Sequence, residues 1–131
     1  MKIDLVKKAF KEINRADFVL PEHLNVVGVD APLLIGYGQT ISQPTTVKMM
    51  LEWLDAKPGN KVLDVGSGSG WTTALLSNIV GKKGKVYAVE RIPELKEFGE
   101  KNCQNDQKIR DNRRYHYDRW RSFKYWPSQI F

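Results

Sequence analysis

Gly66-Ser67-Gly68-Ser69-Gly70 separates a short apolar run, Lys61 to Val65, from a helix-like stretch, Trp71 to Val80. A strand that feeds a glycine loop and then a helix start is a device for holding a nucleotide-like ligand. Glycine has no Cβ, so ligand and backbone can approach closely. The free N–H groups of the helix's first turn attract negative groups. Glu90 lies twenty residues after Gly70, at the end of the next apolar run, Val86-Tyr87-Ala88-Val89. From there its carboxylate can accept hydrogen bonds from both hydroxyls of a ribose.

Spacing separates two ligand classes. Dinucleotide sites use G-x-G-x-x-G, whereas Gly66, Gly68 and Gly70 form G-x-G-x-G and position 71 is Trp. Asp64, two residues before the loop, would oppose a pyrophosphate but suits a cation, such as the ammonium and sulfonium of S-adenosylmethionine. A nicotinamide dehydrogenase fragment is therefore disfavoured. The plain alternative is a glycine turn that only packs helix on strand; the loop, Asp64 and Glu90 together favour ligand binding.

The elements that must position these groups follow from periodicity. Residues 4–14 read as an amphipathic helix, with Val6, Ala9, Phe10 and Ile13 on one face and Lys7, Lys8, Lys11 and Glu12 facing away. Residues 18–43 form a long, weakly periodic connection of the kind that carries function. Pro44 suits the first turn of a second helix, with Ser42 or Gln43 just outside it and an apolar face of Val47, Met50, Leu51 and Leu54. After the turn Lys57-Pro58-Gly59-Asn60 comes strand, glycine loop, helix, strand and a further helix opened by Pro93. That alternation predicts a parallel sheet in an α/β domain.

The 131 residues amount to one ordinary domain. No run of apolar residues is long enough to span a membrane, and the charged N-terminus does not read as a secretory signal. The single cysteine, Cys103, reads as a packing residue and, with two histidines, argues against a metal cluster. A reducing, cytoplasmic setting is expected. Trp53 and Trp71 are expected as core or cofactor-rim aromatics. The net charge of +6 is uneven: residues 1–103 carry 14 basic and 12 acidic side chains, residues 104–131 carry 7 and 3. Seven of the fourteen aromatics also lie in that last segment. Three regions result: a helical extension with an active-site loop over 1–57, a partial cofactor-binding unit over 58–103, and an atypical basic–aromatic tail over 104–131.

The stretch Pro32-Leu33-Leu34-Ile35-Gly36-Tyr37-Gly38-Gln39-Thr40-Ile41-Ser42-Gln43-Pro44 resembles the signature of protein-L-isoaspartate O-methyltransferases. Asp17-Phe18-Val19-Leu20-Pro21 is similar to that family's N-terminal segment. Val62 to Gly70 and Val86 to Leu95 are similar to its cofactor loop and second strand. The resemblance runs from about residue 4 to Cys103. It implies the N-terminal part of a Rossmann-like fold, with parallel strands and a helical extension. It also implies methyl transfer from S-adenosylmethionine to the free carboxylate of L-isoaspartyl residues in damaged proteins. Carried over residue by residue, Asp64, Gly66, Ser67, Gly68, Gly70, Glu90 and Arg91 fall on the cofactor side. Thr40, Ile41 and Gln43 fall on the substrate loop, and Ser42 stands in the place of the family's key serine. The plain alternative for Ser42 is a helix N-cap before Pro44. A carboxylate substrate is already ionised near neutral pH, with a pKa of about 4, so the missing Ser/His/Asp constellation is no objection. The implied partners are isoaspartyl-containing proteins, with no membrane.

After Glu90 the family continues with a helix and a strand ending in Gly-Asp-Gly, which is not readable here. The first strand of the sheet is therefore expected to show a bare apolar edge. Read one nucleotide later, Tyr115 to Arg121 permits an apolar strand ending in Asp-Gly, which favours a reading-frame shift over a functional tail. The other readings are a catalytically inactive fragment and a non-enzymatic module whose basic tail binds nucleic acid; the latter is disfavoured.

Overall fold

Asp4 starts the first helix: its Oδ1 accepts the Lys7 N–H at 3.0 Å, and α1 runs over Leu5–Glu12. The computed structural model describes residues 2–106, 109 and 115–119. Ala9 and Ile13 are buried, and Val6 and Phe10 pack beside them, as the helical spacing predicts. Glu12 departs from the expected outward face. Its Oε2 accepts from Asn78 Nδ2 at 2.7 Å, tying α1 to a later helix.

The connection over residues 18–43 is more regular than its composition suggests. A 3-10 turn, Arg15–Phe18, leads to a 3-10 helix, Pro21–Val26, and then to a hairpin of β1 (Leu33–Gly36) and β2 (Gln39–Ile41). The register pairs Leu33 with Ile41 and Leu34 with Thr40. Tyr37 and Gly38, at φ 56° and 69°, supply the two consecutive left-handed residues that a tight hairpin turn needs. Strands of four and three residues are too short to announce themselves by alternation.

Helix α2 spans Pro44–Leu54, with Gln43 at its N-cap position making no side-chain cap bond. Ser42 is not the cap either. Asp30 does that work from the preceding loop: Oδ1 accepts the Thr45 N–H at 2.9 Å and Oδ2 the Thr45 hydroxyl at 2.6 Å. These bonds hold the Asp30 carboxyl below the usual carboxylate range. Of the predicted apolar face, Val47 and Leu51 are buried, whereas Met50 and Leu54 are exposed and Trp53 is 75% exposed. That side of α2 lines a groove together with Leu63, Asp64 and Val65.

The βαβ expectation is met. Strand β3 (Lys61–Val65), helix α3 (Trp71–Val80), strand β4 (Lys85–Glu90) and helix α4 (Pro93–Asn105) follow in order. β3 pairs in parallel with β4, Val62 opposite Val86 and Val65 opposite Val89. Helix α3 is buried nearly all round and fills the core with Leu75, Ile79 and Val80. Among the described residues β3 is the outer strand of the sheet, as expected, and Val65 there is 58% exposed.

A third strand, β5 (Tyr115–Arg119), pairs in parallel with β4, Val86 opposite Tyr115 and Ala88 opposite Tyr117. It lies in the segment read from sequence as a tail without sheet structure. Tyr115 and Tyr117 pack edge to face, 5.8 Å apart, and Tyr117 is buried with its hydroxyl 3.4 Å from Cys103 Sγ. Two aromatics at period two were too short a signal to read against the arginines around them. The arginine–aromatic cluster beyond Arg119, and the nucleic-acid reading attached to it, lie outside the described residues. Among those described, no helix is long and apolar enough to cross a membrane.

Candidate functional site

The glycine loop sits at the C-terminal ends of the parallel strands, where open α/β sheets bind their ligands. The Gly66 and Ser67 N–H groups donate to Val89 O at 2.8 and 3.1 Å, so the loop folds back over the end of β4. Gly68 and Gly70 adopt φ 55° and 93°, a conformation that L side chains resist. Gly70 is also enclosed: a Cβ there would lie 2.7 Å from Gly99 O on α4 and 2.7 Å from the Tyr117 hydroxyl. The loop is therefore gripped from behind by α4 and β5.

Glu90 clamps the loop. Its Oε1 accepts the Gly68 N–H at 3.0 Å and its Oε2 the Ile92 N–H at 2.9 Å. Each oxygen keeps a further lone pair for a ligand hydroxyl. Asp64 is partly buried and receives the Thr73 hydroxyl at 2.7 Å. Burial pushes its carboxyl up, the Thr73 bond opposes this, and nearby Glu90 adds to the rise. A raised carboxyl beside a second carboxylate is a place where a cation would be welcome. The Ser67 Oγ is buried without a hydrogen-bond partner.

Two concavities meet at the end of β3. One, about 300 Å³, is lined by Gln39, Thr40, Gly66, Gly68, Glu90 and Arg91, among others. The second, about 580 Å³, is lined by Ser42, Asp64, Trp53 and apolar residues of α2 and β3. Val65 and Gly66 border both. Thus Thr40 joins Gly66, Gly68, Glu90 and Arg91 on one side, and Ser42 joins Asp64 on the other. Ile41 points into the core and Gln43 stands at the start of α2; neither borders these spaces. Gly70 shapes the loop from within it. Trp71 is a core aromatic, while Trp53 stands on the rim of the larger groove.

Several contributors carried no sequence signal of their own. Gln39, which borders the smaller concavity, lies within the signature-like stretch Pro32 to Pro44. Arg15, Asp30, Gly99 and Tyr117 act only through contacts with residues far along the chain.

Comparison with known proteins identifies the family and the fold. The family model for protein-L-isoaspartate(D-aspartate) O-methyltransferase (PCMT) matches residues 1–116. A protein-L-isoaspartate O-methyltransferase of Aeropyrum pernix is 52% identical over 99 residues, covering 76% of this chain and 38% of that one. Its Thermococcus onnurineus counterpart is 49% identical over 104 residues, covering 79% and 46%. This chain thus spans less than half the length of these curated relatives. A Plasmodium falciparum protein described as a protein-L-isoaspartate O-methyltransferase, solved with S-adenosyl-L-homocysteine, superposes with a TM-score of 0.76 at 26% identity. That match covers 90% of this chain and 56% of the other. A second solved protein-L-isoaspartate O-methyltransferase gives 0.74 at 30% identity, covering 88% and 37%. The fold is that of the Rossmann-like S-adenosylmethionine-dependent methyltransferases. A match running from the first residue through the glycine loop into β5 leaves one assignment: the chain belongs to the protein-L-isoaspartate(D-aspartate) O-methyltransferase family.

Proposed function

We propose that this chain binds S-adenosylmethionine in the smaller concavity and serves its methylation of the free carboxylate of L-isoaspartyl residues in damaged proteins. The observation that carries the reading is the meeting of two spaces at Val65 and Gly66, one bordered by the glycine loop and Glu90, the other by Ser42. The residues present fit the donor. The position of a Gly66 Cβ has nothing within 4 Å, which leaves backbone open to a ligand. The buried Ser67 Oγ awaits a partner, Asp64 offers a counter-charge, and Glu90 has spare lone pairs.

S-adenosylmethionine, when bound, supplies a methyl group activated by a positive sulfur. Glu90, Gly66 and Gly68 hold the nucleoside side, with Ser67 and Gly70 shaping the loop and Arg91 at its border. Asp64 balances positive charge. On the other side Ser42 orients the substrate carboxylate, with Ile41 and Gln43 fixing its segment and Thr40 reaching the smaller concavity. No general base is required, because the nucleophile is ionised at neutral pH. The contribution of the chain is alignment and exclusion of water, which can carry most of such a rate enhancement. Residues 1–57 form the substrate side and residues 58–103 the cofactor unit, extended by β5. A reducing, cytoplasmic compartment suits the unpaired, buried thiol of Cys103.

The test is methyl transfer from labelled S-adenosylmethionine to an isoaspartyl peptide, with the aspartyl peptide as control and calorimetric titration of S-adenosylhomocysteine alongside. Transfer to the isoaspartyl peptide only, lost in Ser42→Ala with homocysteine-adduct binding kept, is the expected result. Binding without transfer would mean an inactive fragment; absence of binding would overturn the reading.

A further inference from the structure

Arg15 is 7% exposed and lies in the turn after α1, far in sequence from both motifs, yet its guanidinium touches both halves of the site. Nη1 donates to Val27 O at 3.0 Å and to Val29 O at 3.3 Å. Nη2 donates to Ala31 O at 2.8 Å and to Ser42 O at 3.1 Å. Its central carbon stands 5.3 Å from the centre of the Trp71 ring, and Trp71 opens α3 directly after Gly70. Asp30, between the acceptor residues Val29 and Ala31, fastens the same 27–31 strap to the start of α2 through Thr45.

A buried guanidinium whose two terminal nitrogens meet four carbonyls, while its Nε has no hydrogen-bond partner among the described residues, is a costly way to fill space. An apolar side chain would pack the same volume without desolvating a charge. What it could not do is hold carbonyls of two separate segments in one planar fork while lying over an aromatic ring. We propose that Arg15 is a positioning residue for substrate: it sets the main chain at Ser42 against the start of α3, the helix that follows the cofactor loop. This rests on the function proposed above. Arg15 ties the 27–31 strap to the Ser42 carbonyl, Asp30 ties it to Thr45, and Trp71 is the fixed point on the cofactor side. Lysine, a compact charge with three donors, cannot reproduce the fork.

The experiment compares the 131-residue chain with its Arg15→Lys and Arg15→Met variants. Arg15→Lys is expected to lower kcat/KM for the isoaspartyl peptide by roughly ten- to a hundredfold, the scale of a small misplacement of a reacting group. Its dissociation constant for S-adenosylhomocysteine should stay within about twofold. Amide hydrogen exchange should rise at residues 27–31 and 41–45 and not in α3. An unchanged kcat/KM overturns the proposal, as does a loss of peptide and homocysteine-adduct affinity together in proportion to unfolding. Should both variants fail to fold, the unmutated chain still decides. With arginine side chains isotopically labelled, the Arg15 resonance must shift on adding the peptide, and an unmoved resonance overturns the assignment. A parent chain that binds the peptide while Arg15 proves indifferent sinks this inference alone. A parent that binds neither peptide nor homocysteine adduct sinks the proposed function with it.

Discussion

Gly99 offers a sharp test of how the cofactor loop is held. It sits within α4, where alanine would ordinarily be the better residue by about 0.8–1.0 kcal/mol. Here a Cβ would lie 2.7 Å from Gly68 O, 3.1 Å from the Tyr117 hydroxyl and 3.2 Å from Gly70 N. Ordinary contact begins near 3.4 Å, so the Gly68 carbonyl must retreat by about 0.7 Å or α4 must lift from the loop. The obstructing atoms are mostly backbone, which cannot rotate away as a side chain would. Overpacking of this kind costs ~1–3 kcal/mol, which outweighs the helix gain. Gly99→Ala should therefore lower stability by up to about 2 kcal/mol in urea, with an unchanged m value. Because Gly68 N is also the donor to Glu90, the homocysteine-adduct dissociation constant should rise by about tenfold. Gly28→Ala is the control: nothing lies within 4 Å of its Cβ position, and a change within about 0.5 kcal/mol is expected. A Gly99→Ala protein that gains the full helix increment and binds ligand as before would refute the claim that α4 grips the loop.

Asp64 carries a raised pKa, so between the unfolded value of about 4 and that raised value the native chain keeps a proton the unfolded chain has released. Stability should fall as pH rises through that window, and Asp64→Asn should remove this part of the slope; parallel pH–stability curves would contradict it. Tyr117 fills the space behind the loop, and Tyr117→Ala should cost about 3–5 kcal/mol. A chain ending at Asp106 should likewise lose its cooperative urea transition, and retention of the full midpoint would show β5 to be dispensable. Cys103, its thiol pushed up to about 12 by burial, should resist alkylation at pH 8 and react only at the rate of opening. Rapid labelling of the folded chain, read by mass spectrometry, would be inconsistent with the packing described.

The local chemistry of the site was legible because it is written in contiguous residues. A strand, an alternating glycine loop, a helix start and an acid twenty residues later occupy one βαβ unit. Each part depends on its neighbours in sequence, on period, backbone freedom and helix ends. The hairpin over Leu33–Ile41 escaped, because its strands are too short for alternation to outweigh the glycines. β5 escaped for a similar reason, its five residues masked by charge.

Tertiary structure decided what the loop and Ser42 lean on. That Asp30 rather than Ser42 caps α2 depends on a loop fifteen residues away closing onto Thr45. That Gly99 and Tyr117 back the glycine loop depends on α4 and β5 packing behind it. Arg15 reaches Ser42 across twenty-seven positions and Trp71 across a domain layer. The amino-acid order alone determined a glycine-loop α/β unit and the family likeness of its two motifs. Which side chains hold those motifs in register was settled only on folding, since contacts between distant segments leave no periodic trace in the chain.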